Sequence, residues 1–171
     1  MEVNEQMEKS KVAVYPGTFD PVTNGHLDVV RRGLRLFDKI VIGIGTNPNK
    51  KPLFTLEERL DMIKAVLNGN SRVDVKPFDG LLVDFAMECG AGAILRGLRA
   101  VSDFEHELQR ALMNRKLARH IETVFLMTGF RWIYISSTIV KEAARFGGKL
   151  DGLVPPLVEE RLKQKFAEQK G

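Results

Sequence analysis

Tyr15-Pro16-Gly17-Thr18-Phe19-Asp20-Pro21-Val22-Thr23-Asn24-Gly25-His26 is the stretch that decides the fold. Upstream of it, Val12-Ala13-Val14-Tyr15 is a short apolar run that reads as a buried strand. Downstream, apolar residues at 27, 29, 30, 34, 36 and 37 give Leu27 to Phe37 the period of a helix. The stretch between them is a strand-to-helix loop at the first turn of an α/β unit. In open α/β sheets such loops bind ligands, because strand ends and helix N-termini converge there. The residue types suit an anion. Gly17 lets a ligand approach the backbone, Thr18 offers a hydroxyl and a main-chain N–H, and Asn24 reads as the N-cap. Gly25 and His26 then fall in the first helical turn. The positive end of the helix dipole attracts phosphate there and disfavours a protonated imidazole, so a neutral His26 can donate to a phosphate oxygen. There is no G-x-x-x-x-G-K-[ST] string, so this is not a P-loop. The competing reading is a tight turn followed by a surface histidine.

Working outward, 171 residues suit one domain with a sizeable core. Hydrophobic residues at 44% and charged residues at 28% are the balance of a soluble globular protein, and no apolar run approaches a membrane span. Met1 to Lys11 is polar with mixed charge and does not read as a signal peptide. Residues 1–10 read as a flexible lead and 11–165 as the domain. The single cysteine, Cys89, rules out an internal disulfide and a Cys-rich zinc site, and its apolar surroundings make it a packed residue. These features point to a cytoplasmic protein. The net charge of +4 would serve nucleic acid, an anionic membrane or phosphorylated small molecules. No basic run is interleaved with aromatics, and Arg31, Arg32 and Arg35, like Arg110, Arg115, Lys116 and Arg119, read as solvated or subunit-facing helix surface.

The remaining chain alternates. Lys39 to Gly45 is a second buried strand, and Thr55-Leu56-Glu57-Glu58 is a capping box that opens a helix to Leu67. A short strand at Arg72 to Lys76 and a helix at Leu81 to Cys89, stopped by Gly90, follow. Ala93-Ile94-Leu95 is a strand with the loop Arg96-Gly97-Leu98-Arg99 after it, and Ser102 to Glu105 is a second capping box before a helix to Arg119. A strand at Thr123 to Met127, a helix from Ser136 or Ser137 to Phe146 and a last helix from Pro155-Pro156 complete the chain. Strands alternating with helices predict a single-domain, doubly wound parallel sheet.

Function in such a fold belongs to the loops after strands. Lys50, after the second strand, can reach the crevice of the first loop and neutralise a phosphate, or simply be solvated. In Arg96-Gly97-Leu98-Arg99 two guanidiniums suit phosphate oxygens, and Gly97 opens the backbone; the alternative is an arginine paired with a nearby carboxylate. Glu107 can accept a hydrogen bond from a ribose or an adenine. Finally, Trp132-Ile133-Tyr134-Ile135-Ser136-Ser137-Thr138 puts three hydroxyl residues at a helix start, more than one cap needs, which suggests a triphosphate cradle.

G-T-F-D-P followed by T-x-G-H resembles the signature of the Rossmann-like class I-type nucleotidyltransferases. In its Y-P-G-T-F-D-P-x-T-N-G-H form it is similar to that of the bacterial phosphopantetheine adenylyltransferases. Matching segments run from Lys50 to Arg59, Leu95 to Glu105, Met113 to Arg115 and Ile135 to Glu142, so the resemblance covers about residues 11–160. It implies adenylyl transfer from ATP to 4′-phosphopantetheine, giving dephospho-coenzyme A and pyrophosphate. It further implies Mg²⁺ with the triphosphate, coenzyme A as a feedback ligand, a homohexamer, and neither nucleic acid nor membrane as partner. By the same resemblance His26, Lys50 and Arg96 carry catalysis, and Thr18, Lys50, Leu82 and Arg96 bind the acceptor. Thr18, Phe19, His26, Gly97, Leu98, Arg99, Glu107 and residues 132–138 hold ATP. His106 stands where some members have Tyr, and residues 128–131 match no pattern. Sister enzymes acting on nicotinate mononucleotide or glycerol 3-phosphate usually begin the T-x-G-H motif with His, and Thr23 argues against them. A nucleic-acid module, supported only by charge, and a redox domain built on Cys89 are the competitors from other classes.

Overall fold

The computed structural model describes residues 10–46, 51–99 and 101–169. Lys50 and residues 1–9 of the expected lead lie outside them. Five parallel strands, β1 (Val12–Gly17), β2 (Lys39–Gly45), β3 (Val73–Phe78), β4 (Ala93–Leu98) and β5 (Glu122–Met127), pair in the order β3-β2-β1-β4-β5. Between and after them run α1 (Asn24–Gly33), α2 (Leu56–Leu67), α3 (Leu82–Glu88), α4 (Val101–Leu117), α5 (Ser137–Arg145) and α6 (Pro156–Glu168). This is the doubly wound, Rossmann-like sheet that the alternation predicts.

The strand period of two builds both cores. Ala13, Tyr15, Ile40, Ile42, Ala93 and Leu95 point to one face, where Val29, Ile63, Val140 and Leu162 cover them from α1, α2, α5 and α6. Val14, Val41 and Ile94 point to the other, under Val83, Phe85 and Ala86 of α3. Cys89 packs at the rim of that second core, and burial raises its thiol pKa, so it is a packing residue and not a reactive one.

The site is created by a mismatch in pairing lengths. β1 stays paired to β2 as far as Gly17 with Ile44, and β4 to β5 as far as Leu98 with Met127. β1 and β4, however, pair only at Ala13 with Ala93 and Val14 with Ile94. Beyond that point the two central strands part, where the strand order reverses, and a crevice opens at their C-terminal ends.

Several expected boundaries move. Arg96, Gly97 and Leu98 belong to β4 rather than to a loop, because their backbone stays in register with Phe125, Leu126 and Met127. α1 is capped by Thr23, not by Asn24, and ends at Gly33, after which Leu36 and Phe37 turn back with their N–H groups on the Gly33 carbonyl. Asn24 is instead the first helical residue, and its side chain donates to the Gly152 carbonyl at 2.8 Å. α4 begins at Val101, so Ser102 lies inside the helix rather than before it. The Thr55 capping box forms as expected, with Glu58 N–H donating to the Thr55 hydroxyl and Glu58 accepting from Thr55 N–H. No helix among the described residues is long and apolar enough to cross a membrane.

Candidate active site

A cavity of about 680 Å³ fills the parting of β1 and β4. It is lined by the Tyr15–Asp20 segment, by Arg96, Gly97 and Arg99, and by the start of α5. Lys51, Arg96, Arg99, Arg110 and Lys141 line it against two carboxylates, Asp20 and Glu107. The surplus of cations makes it a site for polyanions.

His26 is fixed by its own helix start. Thr23 N–H donates to Nδ1 at 3.0 Å, and His26 N–H in turn donates to the Thr23 hydroxyl at 3.4 Å, a capping box with histidine in the place usually held by Glu or Gln. An Nδ1 that accepts this bond carries no proton, so the neutral ring has its proton on Nε2, as a donor. Desolvation pushes the imidazole pKa down to about 4, and the Arg99 and Arg96 guanidiniums act in the same direction. The sequence assigned neutrality to the helix dipole; burial and two arginines dominate instead.

This has a testable sign. The unfolded chain takes up the His26 proton as pH falls through about 6.5, whereas the folded chain resists until about 4. Below 6.5 the unfolded state binds more protons, so folding stability drops with pH, by up to about 3 kcal/mol near pH 4, and then levels off. Thermal melts from about pH 7 to about pH 4 should fall more steeply for the wild type than for His26→Gln. Parallel curves would contradict the assignment.

Phe19 buttresses the histidine. Its backbone is left-handed at φ +49°, a conformation that costs a non-glycine residue energy. The ring is 3% exposed and meets His26 edge-on at 5.0 Å and Tyr15 at 5.4 Å. The ring occupies the space a side chain at Gly17 would need, since a Cβ there would lie 2.8 Å from Phe19 Cε2. Gly17 is therefore required by Phe19. Gly97 is likewise a packing glycine, for its Cβ would come within 2.9 Å of Val29 Cγ2 on α1.

Arg96 spans the parted strands. Its NH1 donates to the Pro16 carbonyl at 3.1 Å, and Nε and NH2 form a two-pronged pair with Glu107 at 2.6 Å each. Arg110 shares Glu107 at 3.2 Å. Glu107, expected to meet a nucleotide, lines the cavity and has both oxygens on guanidiniums, and in this structure it holds Arg96. Arg99 donates to the Ile135 carbonyl at 3.2 Å and ties β4 to the segment before α5.

At α5, two of the three hydroxyls serve structure. Ser136 caps Ile139 N–H, and Ser137 donates to the Pro21 carbonyl at 2.8 Å. The helix leaves the N–H groups of Ser137 and Thr138 without an intrahelical acceptor, and these residues face the cavity. Of the other expected residues, Thr18, Phe19, Gly97, Trp132 and Ile135 line the cavity, as does His106. Leu98, Ile133 and Tyr134 do not, and Leu82 packs against the second core instead. Of the unassigned segment 128–131, Thr128 lines the cavity and donates its hydroxyl to the Leu98 carbonyl at 2.7 Å, and Gly129 N–H reaches Asp28 at 3.2 Å.

Sequence reading gave no role to Asp20, Arg59 or Lys141. Asp20 is 3% exposed and accepts from Leu53 N–H and Phe54 N–H at 2.9 Å each and from Lys141 at 2.5 Å. Arg59, buried, holds the Thr18 carbonyl at 2.9 Å. Both lock the backbone of the first loop, and the signal for them lay only in long-range pairing.

The family model described as cytidylyltransferase-like matches residues 14–143. A phosphopantetheine adenylyltransferase of Desulfosudis oleivorans is 61% identical over 91% of this chain and 93% of its own length. One from Oleidesulfovibrio alaskensis is 58% identical over 91% and 92% respectively. Among solved structures, a putative nicotinate-nucleotide adenylyltransferase from Vibrio parahaemolyticus superposes with a TM-score of 0.65 at 18% identity over 91% of this chain and 93% of that one. A bifunctional NMN adenylyltransferase/ADP ribose pyrophosphatase from Francisella tularensis gives 0.70 at 17% over 91% and 49%; these two establish the fold alone. The chain is a nucleotidyltransferase of the cytidylyltransferase-like class. Within that class it belongs to the phosphopantetheine adenylyltransferase family.

Proposed function

We propose that the cavity between β1 and β4 takes ATP and 4′-phosphopantetheine together. There the phosphate of 4′-phosphopantetheine attacks the α-phosphorus of ATP, forming dephospho-coenzyme A and expelling pyrophosphate. The 61% identity over 91% of the chain to a phosphopantetheine adenylyltransferase carries this reading. The acceptor phosphate is itself the nucleophile, so the protein's task is orientation and charge stabilisation. His26 supplies an Nε2 proton donor, Arg96 and Arg99 supply fixed positive charge, and the start of α5 supplies N–H groups for the triphosphate. In this reading Lys50 joins Arg96 on the acceptor phosphate.

Mg²⁺ enters with ATP as the MgATP substrate. Asp20 and Glu107 are already bound to cationic side chains, and the described residues contain no cluster of three or more His, Cys, Asp or Glu that could hold a metal. In this reading the ion is carried by the triphosphate.

The homohexamer is supported by an apolar stripe on α4, where Phe104, Leu108 and Leu112 recur every four residues and are 43%, 39% and 61% exposed. A second copy covering that face would bury it. Coenzyme A, which combines parts of both substrates, is the feedback ligand of the same cavity in this reading, and the cytoplasm is the compartment.

Pyrophosphate release from MgATP, with 4′-phosphopantetheine, nicotinate mononucleotide and glycerol 3-phosphate in parallel, tests the assignment. Release is expected with 4′-phosphopantetheine alone. Release with another acceptor would keep the chemistry and overturn the substrate.

A further inference from the structure

Three segments far apart in sequence meet at one buried carboxylate. Asp20 lies in the loop after β1, Leu53 and Phe54 in the loop between β2 and α2, and Lys141 on α5, 121 residues away. Both carboxylate oxygens accept backbone N–H groups of the second loop, and the side chain is 4% exposed. A charge so enclosed needs a cation as well as hydrogen bonds, or the enclosing contacts loosen. Lys141 provides it, with a side chain 27% exposed along the cavity wall. The loop tied down in this way continues directly into Lys51 and Pro52, which also line the cavity.

We infer that Lys141 is a positioning residue: by neutralising Asp20 it docks the 51–54 loop onto the cavity and so sets the place of the cationic segment that receives the acceptor phosphate. This rests on the reading of the cavity as an adenylyl-transfer site. Ser137, one turn before Lys141 on the same face of α5, is tied to the Pro21 carbonyl. α5 is thus anchored beside Asp20 independently of the ion pair, and removing the Lys141 charge releases the loop rather than the helix.

The test is steady-state kinetics of Lys141→Met and Lys141→Arg beside the wild type, with MgATP and 4′-phosphopantetheine varied separately. Wild-type pyrophosphate release establishes the underlying reading first, and its absence would overturn that reading rather than the role of Lys141. Given wild-type activity, Lys141→Met should raise KM for 4′-phosphopantetheine about tenfold, the scale of one lost charge-assisted contact. Its kcat and its KM for MgATP should stay within about threefold, and Lys141→Arg should restore most of the loss. A merely structural pair would lower Tm without this split. If KM for MgATP rises instead, Lys141 is a triphosphate contact and the proposal fails; unchanged acceptor KM also overturns it. Should Lys141→Met not fold, Asp20→Asn tests the same pair from the other end and must give the same split.

Discussion

His26→Ala lowers the turnover number by about 100- to 1000-fold, the loss typical of removing one donor aimed at developing charge in a transition state. Thr23 N–H fixes Nδ1 as an acceptor, so Nε2 is the only ring proton available. Phe19 and the capping box hold the ring before any substrate arrives, and a donor held in advance needs no reorganisation during the reaction. The loss therefore belongs to kcat, while affinity for ATP changes little. Trp132, the sole tryptophan, lines the same cavity, and its fluorescence reports nucleotide binding in the variant independently of turnover. A near-normal turnover number would remove His26 from the mechanism.

Arg96→Met has the second large effect, and it acts on two quantities at once. The variant loses a cation beside the reacting phosphates, and kcat/KM for the acceptor should fall by about 100-fold or more. It also strands Glu107, whose side chain is 12% exposed, with the more distant Arg110 as its remaining partner among the described residues. Leaving one member of an enclosed pair alone costs stability, here about 2–3 kcal/mol given that Arg110 remains. The two losses separate in the double variant Arg96→Met/Glu107→Met. An apolar pair of similar size removes the uncompensated charge, so stability returns while activity does not. Thermal melts and kinetics on the same preparations distinguish this from general damage, in which both would stay low.

What was legible in the sequence was local. β2 runs from Lys39 to Gly45 as its apolar run implies, and the Thr55–Glu58 box forms because both bonds lie within one turn. The crevice was legible as well, because Thr18, His26, Arg96 and Arg99 all follow or end strands that the fold sets side by side. The partnerships inside it were not. Arg96 and Glu107 are only eleven residues apart, but their pairing depends on how α4 returns over β4, and spacing alone could not choose between carboxylate and phosphate. Asp20 and Lys141 leave no local trace. Thr23 and Asn24 are both good caps by type, and the choice fell to Thr23 because the Asn24 N–H and side chain are taken by Leu153 and Gly152. Gly17 and Gly97 were singled out for ligand approach, and the structure adds a packing reason that the sequence did not show, since Phe19 and Val29 fill the space that their side chains would need.

The account holds that this cavity joins two substrates directly, with no protein nucleophile. The configuration at the α-phosphorus tests that claim most directly. With ATP carrying a sulfur of defined stereochemistry on the α-phosphate, and 4′-phosphopantetheine as acceptor, a single in-line displacement gives dephospho-coenzyme A with inverted configuration. Retention would require two displacements through an adenylylated residue of the protein, and would contradict the account.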